Sequence, residues 1–352
     1  MSRRREKTYA PGPEFLAAWP QGASGNRLNG QGEQTTRRAS PMFWHPADQH
    51  PFGAVQQIAG ASCRRTPDAA AAFASAYDYP ELSPINPARE HRTPEAWTDL
   101  AREFALSNHS DLFGATTLKD HYIVDGYAIE DQPNVIMLGF SHDYEELKHV
   151  PGTAENGRGP AEVGRQYARC TRASYALADW IRRQGYSAKP FPGPRADALL
   201  LIPAAIDAGL GELGKHGSLI NRTYGSNLRL AGVTTDMPLA TQEMEAFGAD
   251  DFCLNCRICE DACPPDAITP DKQWVRGEQR WYVDFDKCIP YFAENAGCAI
   301  CIAVCPWARP GVAGNLLEKM TRRREAQARS RVQAALGADE TVEASAVVEM
   351  AR

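Results

Sequence analysis

The chain has little of what marks several common protein classes. No apolar run approaches the roughly 18–20 residues needed to span a bilayer. The longest, 198–206, is interrupted by Pro203. Neither sign of charge dominates: 38 Lys and Arg against 44 Asp and Glu leave a net charge of −6, too weak a bias to draw the chain to nucleic acid or to anionic lipid. No Gly-x-Gly-x-x-Gly follows a strand-like run and no Walker loop occurs, so the usual dinucleotide and ATP sites are missing. The start, Met1-Ser-Arg-Arg-Arg5, is similar to a twin-arginine export signal. Pro11-Gly12-Pro13 and mixed polar sequence then follow where such a signal needs an apolar segment, so no signal is read. These absences predict a soluble, cytoplasmic protein with no membrane span and no nucleic-acid partner. Its 352 residues, 43% hydrophobic and 23% charged, suffice for one large core or two domains.

What is present is cysteine, in one place. Of ten cysteines, Cys63 and Cys170 stand alone and the other eight lie between 253 and 305. Without a secretory signal, such clustering points to metal rather than disulfides. The first group is Cys253-x2-Cys256-x2-Cys259-x3-Cys263-Pro264, and the second is Cys288-x9-Cys298-x2-Cys301-x3-Cys305-Pro306. The first spacing is the bacterial ferredoxin run, in which three cysteines bind one [4Fe–4S] cube and the fourth ligates the other. By that crossing rule one cluster takes Cys253, Cys256, Cys259 and Cys305, and the other takes Cys263, Cys288, Cys298 and Cys301. The competing assignment is two zinc sites of four cysteines each, but those favour two pairs separated by a spacer. The stretches after each Cys-Pro, at Asp266 and at Trp307, suit the short strands and turns of a ferredoxin module.

Upstream, the pattern is mixed. Residues 1–91 read as an irregular arm, rich in Gly, Pro, Gln and Arg over its first 60 residues. Residues 92–113 read as a helix with Thr93 as N-cap and Pro94 at its first turn. Asn134–Phe140 is a short apolar run, expected as a buried strand. Residues 160–184 form the clearest helix, with Tyr167, Cys170, Ser174, Leu177 and Ile181 at three- and four-residue steps and Gly185 as its stop. A helix over about 198–208 precedes the glycine-rich Gly209-Leu-Gly-Glu-Leu-Gly214-Lys-His-Gly217, and Arg229–Thr235 reads as a strand. The tail, 313–352, reads as helical, with Arg322, Arg323 and Arg324 on a solvated face. The fold class expected is α/β (α+β), with a catalytic domain over 92–245 and a ferredoxin-type domain of two [4Fe–4S] clusters over 246–312.

On spacing alone, Tyr167 is an aromatic on the inner face of its helix, Arg229 a salt-bridged arginine, and the glycine stretch a tight turn. Cys170 reads as a small buried hydrophobe, and His142 and His149 as structural or surface residues.

The residues nevertheless resemble a known family. The segments 177–188 (Leu-Ala-Asp-Trp-Ile-Arg-Arg-Gln-Gly-Tyr-Ser-Ala), 206–217, Tyr224-Gly225, Arg229-Leu230, 234–239 (Thr-Thr-Asp-Met-Pro-Leu) and 297–307 are similar to the reductive dehalogenases, corrinoid and iron–sulfur enzymes related to epoxyqueuosine reductase. The resemblance runs from about Asn134 to Trp307. It implies a nitroreductase-like domain that binds base-off cobalamin, followed by the two clusters. Tyr167, ten residues before the Leu-Ala-x-Trp-Ile segment, matches the family's catalytic tyrosine. Arg229, in the strand before Thr-Thr-Asp-x-Pro-Leu, matches its arginine. A third polar residue falls near 195–196, where this chain departs from the pattern with Arg195-Ala196-Asp197: either Arg195 fills the role or the site does without it. The glycine stretch (Gly209, Gly211, Gly214, with His216) is the expected backbone surface for the corrinoid. No Asp-x-His-x-x-Gly motif occurs, so no protein histidine is expected on cobalt.

The activity implied is removal of halide from an organohalide, with electrons delivered by an external donor protein (a ferredoxin, flavodoxin or reductase) through the two clusters. Two alternatives remain from the sequence: an epoxyqueuosine reductase-like enzyme acting on tRNA, and an iron–sulfur electron-transfer subunit without chemistry of its own.

Overall fold

A computed structural model describes residues 7, 9–193, 196–241 and 245–330. Alternation along its strands explains the architecture. In β2 (Asn134–Ser141), Ile136, Leu138 and Phe140 pack into one apolar cluster, while Val135 and Met137 pack into another. Successive strand residues point to opposite faces, so a strand apolar at nearly every position must be covered on both sides. It is. On one face lie α5 (Pro94–Ser107) and the long α7 (Arg158–Arg183), which contribute Trp97, Ala101, Cys170, Leu177 and Ile181. On the other lies α8 (Leu201–Asp207), with Ala204 and Ala205 buried against the sheet.

The sheet has four strands in the order β1 (Leu112–Thr117), β2, β6 (Leu228–Thr235), β3 (Ala188–Phe191), and every pairing is antiparallel. Register places Phe140 opposite Arg229. Because Leu228 and Leu230 face α8 while Ala231 and Val233 face α7, Arg229 is carried on the α7 face.

Helix α7 matches the expected helix closely and stops at Gly185, whose φ is 90°. The expected helix over 92–113 is shorter. Thr93 does cap it, accepting from the Ala96 N–H, but α5 ends at Ser107; the chain turns through His109 (φ 75°) and continues as strand β1. Asn108 explains the stop, since its side chain donates to the Phe104 carbonyl and competes with another helical turn.

The first 91 residues correct the expectation of an irregular arm. They hold four helices: α1 (Pro13–Ala18), α2 (Gly25–Leu28), α3 (Gly53–Cys63) and α4 (Pro67–Ala76). The last begins with a cap signal legible in the sequence, Thr66 accepting from the Ala69 N–H ahead of Pro67. Its alanine-rich face lets it lie close against α7, where a Cβ on Gly164 would come within 2.8 Å of the Ala72 Cβ. The short helices are stabilised by what they touch: Phe15, Phe52 and Val55 share an apolar cluster with Phe285, Ile289 and Ala293.

Those last three residues belong to α11 (Phe285–Glu294), part of the cysteine module. The module also holds α9 (Ala249–Asn255), α10 (Ile258–Ala262), the hairpin β7 (Gln273–Val275) and β8 (Glu278–Arg280), and α12 (Ile300–Ala303). Between sheet and module lie α6 (Tyr144–Leu147), on the α7 side, and the small hairpin β4 (Glu212–Leu213) and β5 (Leu219–Ile220). A helix over 313–330 follows, its arginines exposed. Among the described residues, no helix is long and apolar enough to cross a membrane.

Candidate active site and cysteine clusters

The eight clustered cysteines act on one another's thiols. Burial pushes the Cys253 thiol up to about 12, and its thiol neighbours Cys305, Cys259 and Cys256 push the same way. The Cys259 thiol is likewise held at about 12 by burial, then by Cys305 and Cys256. Cys288 reaches about 12 through burial, then through Cys298 and Cys263, and Cys301 is raised by burial and by Cys288, Cys298, Cys259 and Cys263. Cys305, Cys259 and Cys256 thus act on Cys253, and Cys298 and Cys263 on Cys288, while Cys301 feels thiols of both sets; among the described residues no three such side chains stand together as a metal site. Thiols so buried hold their protons unless a cation takes their place, and coordination to iron supplies that cation. Short α10 and α12 turns are what two-residue gaps allow, and each is followed by a Cys-Pro step, at Cys263 and at Cys305.

Tyr167 and Arg229 meet. The Arg229 guanidinium carbon lies 4.7 Å from the centre of the Tyr167 ring. Tyr167 is carried by α7, and its ring fits against β6 because residue 193 is glycine: a Cβ there would come 2.9 Å from the ring and 3.0 Å from the Leu230 carbonyl oxygen. Burial raises the Tyr167 phenol above its ordinary range, while Arg229 pulls in the opposite direction. The phenol therefore stays protonated at neutral pH, with a cation beside it to stabilise its anion. Among the described residues the Arg229 Nε is buried without a hydrogen-bond partner.

Both side chains line a cavity with about 820 Å³ of empty space counting its mouth, within the usual range for ligand pockets. Aromatic rings stand in its walls (Trp44, Phe73, Tyr77 and Phe292), and among the described residues no carboxylate lines it. One wall is the segment Ala296-Gly297-Cys298-Ala299, whose four residues all have positive φ, 48°, 82°, 46° and 65°. Strained backbone of this kind is concentrated at functional sites. The Tyr167–Arg229 pair and Cys298 thus line the same cavity.

Sequence reasoning missed what the N-terminal helices bring. Cys63, Arg64, Phe73 and Tyr77 come from α3, α4 and their flanks and complete the cavity. Cys63 has its thiol raised to about 11 by burial, against the pull of Arg64, Arg229 and Arg65. The one signal available was the isolated cysteine itself. Cys170 is core: it is fully buried, its thiol donating to the Leu230 carbonyl oxygen at 3.7 Å. His142 is structural, buried against Glu162 at 3.3 Å.

The glycine stretch lies elsewhere. Gly209 ends α8 with a φ of 78°, and Gly211 must be glycine because a Cβ would come 2.2 Å from the Ile220 carbonyl oxygen across the β4–β5 hairpin. Gly214 and His216 form the hairpin's turn, and none of these residues lines the Tyr167–Arg229 cavity. The hairpin supports the first cysteine group instead. Glu212 accepts from the Gly248 and Asp250 N–H groups at the start of α9, and the Lys215 N–H donates to the Cys253 Sγ at 3.5 Å. His216 is buried, which holds its imidazole down at about 4, and its Nε2 has no partner. Arg195 lies outside the described residues.

Residues 252–308 match the family model of the 4Fe-4S dicluster domain. Over 194 residues, 51% of this chain, the sequence is 34% identical to the tetrachloroethene reductive dehalogenase of Dehalobacter restrictus. Over that half the chain is similar to the reductive dehalogenases. The matched segment amounts to 34% of that relative's own length. A solved reductive dehalogenase structure, reported to suggest a mechanism for B12-dependent dehalogenation, superposes with a TM-score of 0.61 over 83% of this chain and 44% of its own, at 21% identity. That likeness extends the shared fold to the N-terminal half. Epoxyqueuosine reductase of Leadbetterella byssophila is 40% identical over 124 residues, 29% of this chain and 36% of its own length.

Proposed function

We propose that the chain is a cobalamin- and [4Fe–4S]-dependent reductive dehalogenase that replaces halogen by hydrogen on an organohalide, its sheet domain being a nitroreductase-like corrinoid-binding domain. The observation that carries this is the Arg229 guanidinium over the Tyr167 ring, at a cavity that Cys298 also lines. The residues suit a flat redox cofactor: glycines thin two walls, the Arg229 Nε has no protein partner, and a cysteine of one cluster group adjoins. Low-valent cobalamin, when bound, supplies the electrons that break a carbon–halogen bond. Cys253, Cys256, Cys259 and Cys305 hold one cluster, and Cys263, Cys288, Cys298 and Cys301 the other.

The chain's own chemistry is proton delivery. Replacing halogen by hydrogen takes two electrons and one proton and releases halide. Tyr167 gives that proton from its Oη, and Arg229, which never loses its own proton, stabilises the phenolate left behind. The aromatic walls exclude water and hold an apolar halide. The Arg64 and Arg229 guanidiniums, which line the cavity, favour departing halide. The electrons come from an external donor protein.

The test is anaerobic reconstitution with cobalamin, iron and sulfide, followed by metal counting and assay of halide release from a bromophenol. About eight irons and one cobalt per chain, with halide released, are expected. Two zincs without labile sulfide, or no retained cobalt, overturn the proposal. Cobalt with reduction of an epoxide on tRNA and no halide release makes the chain an epoxyqueuosine reductase-like enzyme, the reading that the shorter match favours.

A further inference from the structure

The glycine-rich hairpin carries a charge that the proposed chemistry does not use. The Lys215 side chain is only 2% exposed and sits beside the first cysteine group. Its Nζ donates to the Cys256 carbonyl oxygen at 2.9 Å, lies 3.7 Å from Glu260 Oε2 and rests 5.1 Å from the centre of the Trp281 ring. Its backbone N–H reaches the Cys253 Sγ. Taking an ammonium out of water is costly, and one charged partner at 3.7 Å offsets only part of the cost. A neutral side chain would serve packing there as well.

The second group is set differently. It too has an N–H on sulfur, from Ala267 to the Cys263 Sγ at 3.3 Å, and a lysine, Lys7, whose Nζ lies 3.2 Å from Asp266 Oδ1. One group therefore faces a fully buried cation whose carboxylate stands off at 3.7 Å, and the other a more exposed cation paired with its carboxylate. Cluster potentials follow net charge, hydrogen bonds to sulfur and exposure. A cube gains negative charge on reduction, so a nearby cation favours the reduced form and nearby carboxylates oppose it.

We propose that Lys215 is a positioning residue for electrons: it raises the reduction potential of the cluster at Cys253, Cys256, Cys259 and Cys305, so that this cluster accepts the first electron. The inference rests on the two-cluster reading above. Each step is a one-electron reduction by an external donor, with no bond made or broken. An electron stored there leaves the second cluster, whose Cys298 borders the cavity, to take the next.

The experiment is a dithionite titration of the reconstituted protein followed by electron paramagnetic resonance. The signal that survives in Cys256→Ser identifies the second cluster. Lys215→Gln removes the charge but keeps a donor for the Cys256 carbonyl. It should lower the reduced-to-oxidised ratio of the first cluster at least tenfold at fixed potential, or 59 mV for one electron, and leave the second unmoved. Lys215→Arg should restore most of the shift. Glu260→Gln should move the first cluster the opposite way, which keeps the test alive if Lys215→Gln fails to assemble. An unchanged first-cluster potential in the assembled Lys215→Gln protein overturns the proposal, as do equal shifts of both clusters, or no upward shift in Glu260→Gln. A protein without labile sulfide instead overturns the two-cluster reading beneath it.

Discussion

The cysteine module and the four-stranded sheet assemble their functional groups by opposite routes. In the module, thiols separated by two residues are neighbours because one tight turn makes them so. Long-range order is needed for the rest: Cys288 on α11 and, by the ferredoxin crossing rule, Cys263 and Cys305. In the sheet domain nothing local brings Tyr167 to Arg229. One is on a 26-residue helix, the other at the start of a strand laid down later, and they meet because the β2–β6 register and the crossing of α7 put both on one face. The comparison teaches that a metal site can be legible in spacing while a buried tyrosine–arginine pair is not.

The contrast can be broken most severely at the ligands. Cys256→Ser should remove or degrade one cluster and leave the other's spectroscopic signal, with iron falling from about eight toward about four per chain. Loss of both clusters together would show that the module assembles as one unit and that the two clusters are not independent. Tyr167→Phe should keep iron and cobalt while lowering halide release by about 10²–10⁴, the usual worth of a positioned acid. Ring volume is preserved, so the thermal midpoint should hardly move. Halide release at the parent rate would return Tyr167 to the core.

Arg229→Lys is the gentler lesion. It keeps the charge and loses the planar fork, so a fall of about tenfold, ~1.4 kcal/mol, is expected in kcat/KM. A loss as large as that of Tyr167→Phe would mean that the guanidinium itself contacts substrate.

The smallest effect concerns pH. Burial holds His142 at about 4, below the value of roughly 6.5 expected when unfolded. Between those values the unfolded chain binds the proton and the folded chain does not, so stability falls as pH drops from 7 toward 4, by at most about 3 kcal/mol. Burial works to raise Glu162, but hydrogen bonds from His142, the Asp143 N–H and Gln166 hold it low, so its contribution fades on further acidification. Urea midpoints at pH 7 and pH 5 should differ, and less so in His142→Asn. Equal slopes in the two proteins would remove His142 as the cause.

Much of the fold was legible where the pattern is local. Helix α7 and the strands β2 and β6 carry periodicities that burial on one or two faces imposes, and they fall where the residues predict. The N-terminal helices did not show because each is short, and α1 to α3 are stable only against α11 or the sheet domain. Composition rich in Gly and Pro hid them, although Thr66-Pro67 marked one start.

The sequence by itself determined the cysteine content, the two spacings and the choice of Tyr167 and Arg229 through a resemblance. Turn geometry and helical period act over a few residues, and a one-dimensional pattern records them. Only the tertiary structure decided that Cys63 and Arg64 complete the cavity, and that the glycine stretch seats Lys215 on the first cysteine group rather than lining the cavity. These placements come from distant segments packed side by side. Burial, register and the approach of one backbone to another set them, and none of these leaves a periodic mark on the chain.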